Sequence, residues 1–162
     1  MKIKAWICLF LALGCWPSAA IVIATHGRAE MVIVVDPAAT PTETFAAREL
    51  AATLRQITGA DFEIQTNTTA PARAIVVGTG AAARGLFPDV PFDQLGGEEL
   101  VMRAQDGRLL LSGGRPRGTL YAVSRFLQEQ CGVRWWTPWA TSIPRRSTLR
   151  IGALNVREKP AF

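Results

Sequence analysis

The sequence is poor in the side chains that most often carry chemistry. It holds one histidine, one tyrosine and three cysteines. Two of those cysteines, Cys8 and Cys15, lie in the first twenty residues, so Cys131 is the single thiol of the remainder and no internal disulfide can form there. Cys131 and His26 fall short of the four ligands of a structural zinc site, and no metal is expected. Cys131 reads as a small buried apolar residue at a helix end. Neither Ser nor Cys occurs in a nucleophile-elbow pattern that His26 could serve, so His26 reads as a turn residue. No catalytic residue and no cofactor is assigned.

Dense charge and long apolar runs are also missing. Lys and Arg number 18 against 13 Asp and Glu, a formal charge of +5. The arginines are scattered from Arg28 to Arg157 without aromatic interleaving, which excludes a nucleic-acid footprint. The longest apolar run, Ala5 to Trp16, is too short to span a bilayer. At 162 residues the chain is also too short for a (β/α)₈ barrel, which takes about 250.

What the N-terminus does contain reads as an export signal over residues 1–20. Lys2 and Lys4 precede the apolar run, and Ser18, Ala19 and Ala20 offer a small-residue cleavage site. A periplasmic or extracellular location follows. The alternative is a lipoprotein modified at Cys15, which Gly14 precedes, although Ala12 and Leu13 are a poor approach to such a site.

From Ile21 the chain alternates strand and helix patterns. Ile21 to Ala24 and Met31 to Val35 are β-rich runs around the polar Thr25–Arg28 stretch, which predicts that they pair as a hairpin. Thr40, Pro41 and Glu43 predict a capping box, and Ala46, Leu50, Leu54 and Ile57 recur on one helical face up to a stop at Gly59. Strands follow at Phe62 to Gln65 and Ala74 to Gly78. A Pro- and Gly-rich loop covers Leu86 to Gly97, and a second hairpin, Glu99 to Ala104 with Arg108 to Ser112, turns at Asp106 and Gly107. A second helix spans about Arg117 to Gln130, burying Leu120, Val123 and Leu127 and stopping at Gly132; a last strand covers Thr148 to Ile151. The expected fold is α+β, a mixed β-sheet with two main helices packed on one face and a second face that needs a cover.

Three segments invite a functional reading. Gly78, Gly80 and Ala83 match a dinucleotide-binding spacing after a strand, but Pro88 stops the helix they would open. Adjacent Glu98 and Glu99 point to opposite faces if on a strand, so they read as solvated strand ends and not as an acid and base pair. The third segment, CGVRWWTPWATSIP, places Arg134, Trp135, Trp136 and Trp139 together just after a helix. So much indole area packs against something: the domain's own seam between sheet and helix, a following domain, or a sugar ring.

The stretches FAARELAATLRQITGADF, AIVVGTG, LLLSGGRPRGTLYAVSRFLQEQCGVRWWTPWATSIPRRSTLRI and NVREKPAF resemble the N-terminal domain ahead of the barrel in α-glucuronidases of glycoside hydrolase family 67. They are also similar to the related second domain of family 20 hexosaminidases and to uncharacterised bacterial proteins of the same layout. The resemblance covers about residues 30–162, most specifically at GGRPRGTLYAVSRFL and GVRWWTP. It implies an accessory domain over 21–156 and, at 157–162, the junction into a C-terminal catalytic barrel that would carry the acid and base carboxylates. The expectation is a non-catalytic accessory domain of a secreted glycoside hydrolase involved in polysaccharide breakdown, on a chain that continues past Phe162. The alternative is a free-standing exported carbohydrate-binding or interaction module. Arg134, Trp135, Trp136 and Trp139 are the candidate docking or sugar-stacking residues under either.

Overall fold

The computed structural model describes residues 20–137 and 139–159. Residues 1–19 of the expected export signal, with the alternative lipidation site at Cys15, and the last three residues of the expected barrel junction lie outside the described residues. Among the described residues no helix is long and apolar enough to cross a membrane.

The centre of the fold is a six-stranded mixed sheet. Its strands, numbered along the whole chain, are β3 (Val32–Val35), β4 (Ile64–Thr66), β5 (Ala74–Val77), β6 (Leu100–Gln105), β7 (Arg108–Gly113) and β11 (Asn155–Glu158), in the spatial order β11-β6-β7-β5-β3-β4. The pairs β4–β3, β3–β5 and β5–β7 are parallel; β7–β6 and β6–β11 are antiparallel. The sheet therefore extends past residue 156, since Arg157 and Glu158 pair with Val101 and Leu100.

Both faces of the central strands are apolar, as parallel strands covered on both sides require. Ile33, Val35, Ile75, Val77, Leu109 and Leu111 face one core with α1 (Pro41–Thr58) and α3 (Gly118–Glu129). Val34, Val76, Leu110 and Val101 alternate with them and face a second, smaller core. The two main helices share one face, as expected. The cover of the other face is α2 (Ala81–Leu86) and the loop after it, through Ala82, Ala83, Phe87, Val90 and Phe92.

One expected pairing is different. β1 (Ile21–Thr25) turns at His26 and Gly27 into the two-residue β2 (Arg28–Ala29) and pairs on its other side with β10 (Leu149–Ile151). The Met31 to Val35 run instead supplies a central strand of the six-stranded sheet. The positive φ of His26 (47°) and Gly27 (76°) makes the turn tight, so the chain reverses before Met31 and leaves that run free to pair elsewhere.

Helix α1 forms as its sequence dictates. Glu43 N donates to Thr40 Oγ1 at 3.2 Å, Thr40 N donates to Glu43 Oε2 at 2.7 Å, and Gly59 ends the helix in the left-handed region at φ 77°. Helix α3 buries Val123, Phe126 and Leu127, while Leu120 is half-buried. Its start is set by glycine: a Cβ on Gly113 would lie 2.2 Å from Gly118 C, and one on Gly118 would lie 2.3 Å from Glu99 O. Only hydrogens fit there, so the end of β7, the start of α3 and the Glu99 backbone meet main chain to main chain.

The sequence pattern also hides one orphan. Ser112 Oγ is fully buried on β7 without a hydrogen-bond partner. Ser112→Ala removes the unpaired group and leaves the shape, so it is expected to be neutral or to stabilise by up to about 1 kcal/mol. A urea unfolding midpoint measured for both chains checks this.

Candidate docking site on an aromatic hairpin

Beyond α3 the chain leaves the core. Gly132, at φ 81°, breaks the helix, and β8 (Arg134–Thr137) pairs with β9 (Ala140–Ser142) as a separate two-stranded ribbon. Every described residue of both strands is exposed. The relative exposures are 48% for Trp135, 70% for Trp136 and 91% for Trp139. The reading in which these indoles plug the domain's own seam is therefore corrected: the core there is built from Phe126, Leu127, Val133 and the α1 stripe.

Arg134 anchors the ribbon. Its guanidinium donates at 2.5 Å to Gln128 O, a carbonyl of the last turn of α3, and at 2.9 Å to Val133 O beyond the helix. At the same root a Cβ on Gly132 would lie 3.7 Å from an Arg146 guanidinium nitrogen and 3.6 Å from Pro144. Arg145 and Arg146 were not singled out in the sequence. The signal that could have found them is the stretch 130–157, which holds five arginines and no Asp or Glu.

The structure disposes of the other candidates by geometry. β3 and β5 lie where the strand order reverses, and their C-terminal ends form the crevice that binds nucleotides in wound sheets. Here that crevice is filled by the chain's own carboxylates. Asp36 Oδ2 accepts from Ala81 N at 2.8 Å, at the N-terminus of α2, and a Cβ on Gly80 would lie 2.2 Å from Asp36. Gly78 and Gly80 thus admit Asp36 and Glu43 in place of a pyrophosphate.

Glu43 is 2% exposed. Besides capping α1 it accepts from Thr79 N at 3.2 Å, and Arg115 reaches it at 3.1 Å from the loop between β7 and α3. Burial raises the pKa of its carboxyl, but the donations from Thr40, Arg115 and Thr79 outweigh burial and hold it below the usual carboxylate range.

Glu99 is not the solvated strand end expected. It is 6% exposed, accepting from Gly96 N at 2.9 Å and from Arg157 at 2.5 Å. Those partners repay the cost of burying its charge. Glu98 pairs with Arg117 instead. His26 sits in the β1–β2 turn, its backbone N donating to Thr148 Oγ1. Cys131 is fully buried, and burial pushes its thiol up to about 12, which leaves no thiolate at neutral pH.

Fold and surface together define an α+β domain with a wound mixed sheet, a self-filled crevice and one unpartnered aromatic ribbon. Residues 22–126 match the family described as glycosyl hydrolase family 67 N-terminus, and the chain belongs to that family. The ribbon lies outside the matched span. Among solved structures the chain is similar to a family GH115 4-O-methyl-α-glucuronidase described as specific for decorated arabinogalactans. The two are 22% identical at a TM-score of 0.56, over 85% of this chain and 18% of that one. The chain therefore spans under a fifth of that enzyme's length, and the likeness is one of fold. No curated protein matches the sequence.

Proposed function

We propose that this chain is the non-catalytic accessory domain of an exported glycoside hydrolase, held against the catalytic domain by the ribbon of Trp135, Trp136 and Trp139. The observation that carries this reading is the exposure of three clustered indoles on a ribbon with a pinned root. Such a patch on an otherwise ordinary domain marks an interaction surface. Membership of an N-terminal glycosyl hydrolase family supports the hydrolase setting. The run Ala5 to Trp16 and the small residues before Ile21 support export.

The carboxylates support the absence of chemistry. Glycoside hydrolysis needs two carboxyl groups facing one another across roughly 5 to 10 Å of open site. Here the two buried ones are held in place, Glu43 by Arg115 and the N–H groups of Thr40 and Thr79, and Glu99 by Arg157 and Gly96 N–H. Residues 21–162 are expected to hydrolyse none of a panel of aryl glycosides and uronic-acid-capped oligosaccharides. Turnover that survives purification and vanishes on substitution of one Asp or Glu would overturn the reading.

One observation favours a second use of the same ribbon. Trp139 is almost fully exposed in the β8–β9 turn, a position suited to stacking on a sugar ring. Titration of the chain with oligosaccharides separates the two: saturable binding lost in Trp139→Ala promotes the carbohydrate-binding module over the docking domain.

A further inference from the structure

We infer that the aromatic ribbon inserts into an acidic, two-walled cleft of a partner protein surface. This rests on the docking reading above and adds the shape and charge of what is docked upon. The shape follows from the ribbon. Arg134 and Trp135 pair with Ser142 and Thr141 before the register shifts at Trp136, and Trp139 lies in the turn. Both faces of the ribbon are bare, since every described residue of β8 and β9 is exposed. A flat surface would cover one face and leave the other in water; a cleft covers both.

The alternatives fit less well. β8 and β9 pair only with each other, so each has an unpaired outer edge of N–H and C=O groups, and the ribbon carries Thr137, Thr141 and Ser142 beside the indoles. Bilayer hydrocarbon would leave those groups unsatisfied. A protein cleft supplies both apolar walls and hydrogen-bond partners.

The charge follows from the root. Arg157 is bound to Glu99, and Arg134 is bound to backbone carbonyls. Among the described residues no ion pair joins Arg145 or Arg146 to a carboxylate, and both are exposed. They flank the ribbon in a stretch without an acid between Glu129 and Glu158. Unpaired guanidiniums around an aromatic centre select a partner with an apolar floor and Asp or Glu on its rim.

The test replaces Trp139 by benzoylphenylalanine in cells that make the protein, with Glu49, exposed on α1, as the control position. Freshly broken cells are irradiated and the adducts sequenced. The expected adduct is a peptide neighbouring several Asp or Glu residues, formed from position 139 and not from 49. Its yield should fall at least tenfold between about 50 and 500 mM salt, as contacts between exposed charges do on screening. It should fall as far in Arg145→Glu/Arg146→Glu, and less in Arg145→Gln/Arg146→Gln, with unchanged melting. A peptide adduct without acidic neighbours, indifferent to salt and to both double variants, overturns the acidic cleft while docking stands. No adduct, or one to lipid, glycan or a second copy of this chain, overturns both.

Discussion

Gly114→Ala is expected to prevent folding. A Cβ at position 114 would lie 1.8 Å from Gly96 O and 2.5 Å from Gly96 C. Those atoms are main chain, so no side-chain rotation can relieve the contact. The loop they belong to is itself fixed, because Gly96 N donates to Glu99 and Gly97 O accepts from Arg117 N and Gly118 N. Either the loop moves, and those bonds break, or the start of α3 does. The cost is expected to exceed about 4 kcal/mol, a range reserved for such mechanisms. Gly85→Ala is the contrast, since nothing lies within 4 Å of the added methyl in α2, and it should be neutral or stabilising by about 0.5 to 1 kcal/mol. Far-ultraviolet circular dichroism of both variants decides. A cooperative melt of Gly114→Ala within a few degrees of the parent would refute the backbone-contact account.

Glu43→Ala should have the next largest effect. One carboxylate closes the α1 cap, holds the end of β5 through Thr79 and receives Arg115 from the β7–α3 loop. Its removal strands Thr79 N and Oγ1 in a buried position and frees Arg115. Breaking a buried ion pair costs about 3 to 5 kcal/mol, and the cap is included in that figure. Arg115 is half exposed and its share is screened, so about 3 kcal/mol is expected. That corresponds to a melting point lower by roughly 10 °C in a domain of this size. Glu43→Gln keeps one acceptor oxygen and should lose about half as much.

The same contacts fix the sign of a pH effect. The folded pKa of Glu43 is depressed. Its contribution is therefore present in full above the unfolded glutamate value of about 4.3 and is lost as pH falls through the lower folded value. The parent should lose stability in that acid window by more than Glu43→Gln does. Equal slopes for the two proteins would show that Glu43 is not the group responsible.

Local features were legible in the sequence and distant ones were not. The capping box at Thr40, the stop at Gly59, the Asp106–Gly107 turn and the burial of Cys131 each depend on residues a few positions apart, and each stands as read. The pairing of Ile21 with Ile151 spans most of the chain and leaves no local trace. The burial of Glu99 depends on Arg157, 58 positions away. The cover of the second sheet face was missed because Pro88, Pro91 and the glycines around them look like an exposed loop, although Phe87, Val90 and Phe92 are its buried part. For the ribbon, composition gave the indoles but not their direction. Nothing within CGVRWWTPWATSIP says whether three tryptophans turn into their own core, and the core beside it is built instead from Phe126 and Leu127 of α3 and the α1 stripe.

The most direct measurement uses the tryptophans themselves. Of five in the sequence, Trp6 and Trp16 lie in the expected leader, so the tryptophan emission of a chain starting at Ile21 comes only from Trp135, Trp136 and Trp139. Acrylamide quenching of that chain is compared with quenching of the same three indoles in the protein as its gene encodes it, with every tryptophan outside the ribbon replaced by phenylalanine. The account predicts red emission and ready quenching in the short chain, with a blue shift and at least threefold protection in the long one. Equal emission and equal quenching in the two would contradict docking through the ribbon.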